Sequence, residues 1–301
     1  MPSVFHPTRH LMIRQLRHLG ATLVLLLPAT AAHAQSATGR VSDREAVFSP
    51  ALDDSLHYAL YLPPGYRDNA RDYAVVYLLH GYGGNHTNWI RRGEAATTAD
   101  RMIAANLIPP IILVMPDARN SWYVNSDPNT AFGAWETAIV EDLVTHIDTT
   151  LRTVASRRGR LIAGLSMGGF GALHLALTHP DRFGAAASLS GAIGKDPPTN
   201  PRLFTPAFGT PFSVERWEAA NPFASIGALA QSGLRLPIFL TVGDDDGFRL
   251  YRGATDFYAA LVEAELPAEL RITDGAHRWD VWAEGLHDVL RFFGEILRGR
   301  R

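Results

Sequence analysis

Leu161-Ile162-Ala163-Gly164-Leu165-Ser166-Met167-Gly168-Gly169-Phe170-Gly171-Ala172-Leu173 is the stretch whose reading decides the fold. A short apolar run leads into Gly-x-Ser-x-Gly, and a small-residue helix start follows. That order predicts a buried strand, a sharp turn and a helix, with Ser166 on the turn. A turn of this kind strains the serine backbone and aims its hydroxyl out of the sheet. Gly164 and Gly168 suit it, because a Cβ at either position would run into the neighbouring strand or helix. The Met167 amide then faces the space where an oxyanion would form. A glycine-rich turn that merely contains serine is the alternative. The strand before it and the helix after it favour the strained turn.

Working outward, the chain alternates strands with helices. Val41 to Phe48 and His57 to Leu62 read as two strands joined by a turn, an antiparallel start to a sheet. Tyr73 to Leu79, Ile111 to Met115, Ala185 to Gly191, Leu236 to Val242 and Leu270 to Thr273 read as further strands. The unbroken apolar runs among them fit strands covered on both faces, as in a parallel sheet. Thr97 to Ala105, Trp135 to Leu151, Ser166 to His179, Phe248 to Leu261 and Val281 to Leu297 read as helices. This is an α/β chain with a mostly parallel central sheet flanked by helices. Residues 192–230 break the rhythm with Pro197, Pro198, Pro201, Pro206, Pro211 and Pro222 among Phe204, Phe208, Phe212 and Trp217. So long a connection suggests a cap-like insertion. Its aromatics suit either an acyl or aryl pocket or a small core of its own.

A serine hydroxyl needs a base in contact, and the base needs an orienting carboxylate. Both should lie on loops after later strands, at the sheet edge that carries Ser166. Three aspartates, Asp244, Asp245 and Asp246, follow the Val242 strand, and Asp246 sits deepest in the loop. Only His277 and His287 come after it. His277 is in a glycine-containing loop just past a strand, whereas His287 falls on the closing helix. The candidates are therefore Ser166 as nucleophile, Asp246 as acid and His277 as base. The order nucleophile, acid, histidine is that of the α/β-hydrolases. His80-Gly81-Tyr82-Gly83-Gly84 follows the Leu79 strand and can turn backbone N–H groups toward a ligand. The Tyr82 amide is the candidate second oxyanion donor beside Met167. Residues 118–129 form an irregular segment with Trp122, Tyr123, Asn125 and Asn129, either substrate contacts or loop packing. Trp279, on the histidine loop, is a further candidate contact. His146 and His174 read as surface and structural histidines. His80 and His86 alone, without a third ligand, do not make a metal site.

Taken together, Leu79-His80-Gly81-Tyr82-Gly83-Gly84, Met115-Pro116-Asp117 with Ser121-Trp122-Tyr123, Gly164-Leu165-Ser166-Met167-Gly168-Gly169, His179-Pro180-Asp181-Arg182-Phe183, Ser190-Gly191 and Gly275-Ala276-His277-Arg278-Trp279 resemble one esterase family. It includes the esterase D-like S-formylglutathione hydrolases, feruloyl and acetyl-xylan esterases, tributyrin-type esterases and the antigen 85 mycolyltransferases. The resemblance covers about residues 45–298. It implies an α/β-hydrolase fold, the Ser166–Asp246–His277 triad, an oxyanion hole from the Tyr82 and Met167 amides, and no cofactor or metal. The mycolyltransferases differ at His80, where they carry aspartate, and in using glutamate as the acid. The formylglutathione enzymes are cytosolic.

The N-terminus bears on that last point. Arg9, Arg14 and Arg17 precede an apolar stretch from Leu19 to Leu27, and Ala32-His33-Ala34 fits a small-residue cleavage site. Residues 1–34 therefore read as a signal peptide and 35–301 as one catalytic domain, secreted or periplasmic. Nine apolar residues are too few for a spanning helix, so no membrane insertion is expected after cleavage. The formal charge is −2, and losing three arginines and no acid makes the mature chain −5. With no basic stripe, a nucleic-acid partner is not expected. The chain has no cysteine, which excludes a thiolate nucleophile and a disulfide framework. The expected function is a secreted serine ester hydrolase working through an acyl-enzyme on small-molecule or polysaccharide-linked esters, with short acyl, acetyl or feruloyl groups. The rivals are an acyltransferase of the mycolyltransferase type and a non-catalytic carbohydrate-binding protein on the same scaffold.

Overall fold

The computed structural model describes residues 38–130 and 132–300, so the expected signal segment lies outside the described residues. Eight strands form one sheet: β1 (Arg40–Ser49), β2 (Asp54–Leu62), β3 (Ala74–Leu79), β4 (Ile111–Pro116), β5 (Arg160–Leu165), β6 (Ala185–Leu189), β7 (Ile238–Gly243) and β8 (Ala268–Thr273). Their order is β1-β2-β4-β3-β5-β6-β7-β8. β1 and β2 form an antiparallel hairpin, β2 pairs antiparallel with β4, and all later pairings are parallel. This is the α/β-hydrolase architecture.

Side chains alternate along β2 between two cores. Tyr58 and Leu60 enter one core, Ala59 and Tyr61 the other. In β3, Val75, Tyr77 and Leu79 face the first core and Ala74, Val76 and Leu78 the second. Every residue of β3, β4 and β5 is buried, which is why these strands read as unbroken apolar runs. Each fully buried aliphatic side chain stabilises the fold by roughly 1.5–3 kcal/mol. The helix Met167–Thr178 covers the first face together with Pro222–Ser232 and Leu250–Glu263. The closing helix Trp279–Leu297 and the helix Ala95–Ala104 cover the second.

Three local readings change. The helix from Trp135 runs to Thr150, but Ala138–Leu143 winds as a π-helical turn. His146, read as a surface histidine, is half-buried and hydrogen-bonded through Nε2 to the Tyr58 hydroxyl at 3.0 Å. Burial pushes that hydroxyl up to about 12, with the Glu45 charge adding to it, so it stays a neutral phenol. The helix read from Phe248 starts only at Leu250, leaving Phe248 and Arg249 in a turn.

The segment between β6 and β7 holds three short helices, Thr205–Phe208, Val214–Ala220 and Pro222–Ser232. Ser213 and Asn221 cap the second and third by accepting from the Arg216 and Phe223 amides. Phe204, Phe208 and Phe212 meet one another at ring distances of 6.1–6.2 Å and make a small aromatic core for the segment.

Topology decides where a site can lie. The chain leaves β3 toward β4 on one side and leaves β5 toward β6 on the other. The C-terminal ends of these adjacent parallel strands therefore open a crevice at the switch point.

Candidate active site

Ser166 lies between β5 and the Met167–Thr178 helix with φ 54° and ψ −116°. A non-glycine residue rarely adopts that conformation, so its neighbours must enforce it. The packing is tight: a Cβ on Gly164 would meet the Gly168 carbonyl oxygen at 2.2 Å, and one on Gly168 would meet the Leu79 carbonyl oxygen at 2.5 Å. The turn thus packs backbone to backbone against the end of β3. The Ser166 amide donates to the Leu189 carbonyl at 2.9 Å, which ties the turn to β6 as well.

The loop after β7 and the loop after β8 are joined by backbone. The Asp245 amide donates to the Gly275 carbonyl at 2.9 Å, and a Cβ on Gly243 would sit 2.0 Å from that same oxygen. This contact brings Asp246 to His277. Asp246 is buried, while Asp244 and Asp245 are exposed. His277 Nδ1 lies 2.7 Å from Asp246 Oδ2, and His277 Nε2 lies 3.0 Å from Ser166 Oγ. An ionised carboxylate only accepts, so Nδ1 carries the proton and Nε2 presents its lone pair to the serine hydroxyl. The second carboxylate oxygen of Asp246 accepts from the Phe248 amide at 2.9 Å. Structure thus brings together Ser166, His277 and Asp246, in the arrangement by which a base can take a serine proton.

The loop after β3 reaches the same place. A Cβ on Gly81 would lie 3.4 Å from Ser166 Cβ. Among the described residues, neither the Tyr82 amide nor the Met167 amide donates to a backbone or side-chain acceptor. Met167 is also the first residue of a 12-residue helix, whose positive end favours an anion there. Polar contacts fix the loop itself. The Ala118 amide donates to His80 Nε2 at 3.0 Å, so the ring proton is on Nδ1, which donates to the Gly81 carbonyl at 2.8 Å. That carbonyl shares a rigid peptide plane with the Tyr82 N–H. On the other side, the Gly83 amide donates to Asn120 Oδ1 at 2.6 Å. Asp117 stands behind His80 and His86. Burial alone would raise its carboxyl, but the Arg119 amide at 3.0 Å and His86 at 3.2 Å, both hydrogen-bonded to it, hold it below the usual carboxylate range.

The three aromatic candidates separate. Tyr123 is fully buried and its hydroxyl donates to the His80 carbonyl at 2.8 Å, so it braces the loop rather than facing a ligand. Trp122 is buried too. It stacks on Phe204 at 4.0 Å, meets Tyr82 at 6.5 Å, and its Nε1 donates to the Leu203 carbonyl. Trp279 is half-buried, edge-on to Trp89 and Trp282, with the Arg92 guanidinium 5.2 Å from its ring centroid. Three residues at the site carried no signal in the reading of the chain: Asn120, Phe248 and Trp282. The His277 ring meets Trp282 at 4.8 Å on its inner side and Phe248 at 5.0 Å on its outer side, both edge to face. Asp244, Asp245 and Asp274 bring exposed carboxylate oxygens within 4.8 Å of one another, a common arrangement on solvated acidic turns.

Known proteins resemble this chain in sequence and in fold. The profile of the family described as "Putative esterase" matches residues 49–293. The chain is 35% identical over 137 residues to an endo-1,4-beta-xylanase/feruloyl esterase of Xylanibacter ruminicola, covering 44% of this chain and 19% of that protein. It is 40% identical over 136 residues to Esterase Rv1288 of Mycobacterium tuberculosis, covering 43% and 28%. These matches thus span well under half the length of either relative. An acetyl esterase of Caldicellulosiruptor saccharolyticus is 22% identical over 74% of this chain and 84% of its own. Among solved structures, a ferulic acid esterase superposes with a TM-score of 0.73 at 26% identity, covering 86% of this chain and 99% of that one.

Proposed function

The chain belongs to the Esterase family, and from that premise we propose that it hydrolyses carboxylic esters through a Ser166–His277–Asp246 triad. The observation that carries this reading is the continuous hydrogen-bonded line from Ser166 Oγ through His277 to Asp246, at 3.0 and 2.7 Å. As Ser166 Oγ bonds to the ester carbonyl carbon, its proton passes to His277 Nε2. The carbonyl π electrons move onto oxygen, and the Tyr82 and Met167 amides hold that oxyanion. Asp246 orients the imidazole and stabilises its cation. When the intermediate collapses, the bond to the alcohol oxygen breaks and His277 returns the proton to that oxygen. Water then attacks the acyl-enzyme by the same steps and frees the acid. Each proton passes through His277 Nε2. The relatives named feruloyl esterase and acetyl esterase support aryl-acyl or acetyl esters, free or attached to polysaccharide, as substrates.

Residues 1–34 would direct export, giving a mature chain that begins at Gln35, which the mass of the exported protein checks. Among the described residues, no helix is long and apolar enough to cross a membrane. The central test is hydrolysis of p-nitrophenyl esters of graded acyl length by the mature protein and by Ser166→Ala. The variant should lose about 10⁴-fold or more in kcat while its circular dichroism and melting stay unchanged. A wild type that is folded and inactive on every ester would overturn the reading.

A further inference from the structure

Phe248 is 71% exposed, a phenyl ring left in solvent beside the triad histidine. Its position is not loose. Its amide donates to Asp246 Oδ1 at 2.9 Å, and the next amide, that of Arg249, donates to the Asp246 carbonyl at 2.7 Å. The ring is therefore carried on a turn anchored to the triad acid, with its centroid 5.0 Å from that of His277 at an interplanar angle of 79°. Packing does not account for it, because an exposed ring contributes little burial. Bracing of His277 does not account for it either. The imidazole is already held by Asp246 and by buried Trp282, whose Nε1 donates to Ser190 Oγ at 3.2 Å.

The chemistry of the proposed reaction says what passes this ring. His277 Nε2 returns its proton to the alcohol oxygen, so the alcohol half of the ester must leave along the imidazole. The oxyanion donors sit on the β3 loop and at the start of the elbow helix, whereas Phe248 is on the β7 loop that carries the acid. We propose that Phe248 is a platform for the leaving alcohol and selects alcohols that bear a ring, whose apolar face lies on the exposed phenyl. Both an aryl ring and the C–H face of a sugar present such a surface. This proposal rests on the esterase reading and adds the alcohol side to it.

The test holds the acyl group constant and varies the alcohol. Hydrolysis of benzyl acetate and of a mono-O-acetyl methyl xyloside is compared with that of ethyl acetate for wild type, Phe248→Ala and Phe248→Tyr. The quantity read is the ratio of kcat/KM for each ring ester to that for ethyl acetate, which cancels any loss of folded enzyme. Phe248→Ala should lower that ratio by roughly tenfold while Phe248→Tyr retains it. A fall confined to benzyl acetate identifies an aryl alcohol, and one confined to the xyloside identifies a sugar. An unchanged ratio overturns the proposal, including the case in which all three esters slow equally, which would make the ring a brace for His277. Wild type that cleaves neither these three nor any p-nitrophenyl ester would remove the esterase reading, whereas cleavage of p-nitrophenyl esters with none of the three would overturn this proposal alone.

Discussion

Asn120 fixes the loop after β3 through a single hydrogen bond. Its Oδ1 takes the Gly83 amide at 2.6 Å, while His80 Nδ1 and the Gly84 amide, at 2.8 and 2.9 Å, hold the Gly81 carbonyl. The Tyr82 N–H belongs to the first of these anchored peptides and adjoins the second, so its direction is set from both sides. Asn120→Ala leaves the Gly83 amide without its acceptor and frees one end of the turn. Loss of an oxyanion donor costs about 10²–10³-fold in kcat, and loosening one should cost less, about tenfold to a hundredfold. The expected result is a fall in kcat with KM within about twofold, because the oxyanion forms only in the transition state. Asn120→Asp keeps an acceptor oxygen and should recover most of the loss. A rise in KM with kcat unchanged would mean that Asn120 acts on binding instead. Ser166, Asp246 and His277 could be picked out in the sequence because strand ends and residue chemistry single them out. Asn120 could not, since an asparagine in an irregular loop carries no pattern and its importance comes from a 37-residue contact.

At the level of elements, the elbow helix is held at its far end by a half-buried charge. Glu136 accepts from His174 Nε2 at 3.0 Å and from His179 Nε2 at 2.8 Å. His174 lies within the helix and His179 is its C-cap, so Glu136 fastens the last turns of the helix that begins at the nucleophile. Burial would raise this carboxyl, but the two histidine hydrogen bonds and their charges hold it well below its ordinary value of 4.5. A carboxyl lowered in the folded state favours folding above its unfolded pKa, and that contribution is lost as pH falls below about 4.5 toward the folded value. Wild type should therefore exceed Glu136→Gln in stability by about 2 kcal/mol at pH 7, with a smaller gap at pH 3. Urea midpoints at the two pH values check this. A gap of the same size at both would place the effect in packing and not in charge. The strands were legible because alternation or an apolar run marks each one, and all eight lie close to where the residues put them. The π-helical turn at Ala138–Leu143 was not, because Ile139, Val140, Leu143, Val144 and Ile147 read equally well as an α-helical stripe.

Over the whole molecule, strand order is the part that the residues did not reveal. Nothing in β2, β3 or β4 taken singly says that β4 lies between the other two. Periodicity reports which face is covered and is silent on neighbours, yet this order is what opens the crevice beside Ser166. The 192–230 segment was legible as an interruption, but its attachment was not. That attachment runs through Trp122, which stacks on Phe204 at 4.0 Å and 18°, donates to the Leu203 carbonyl at 2.9 Å and meets Tyr82 on its other side. The same ring thus joins the segment to the candidate oxyanion loop. Phe204→Ala removes the stacked partner and opens the aromatic core formed with Phe208 and Phe212. The cost should be about 2 kcal/mol, or roughly 4–8 °C in Tm for a chain of this size. If Trp122 transmits the loss to Tyr82, kcat should also fall, by about threefold to tenfold, well below the melting temperature, and Phe204→Tyr should restore both quantities. A melting shift with unchanged kcat would mean that the segment is stabilised by this contact while the candidate oxyanion loop is held without it, by His80, Asn120 and Tyr123.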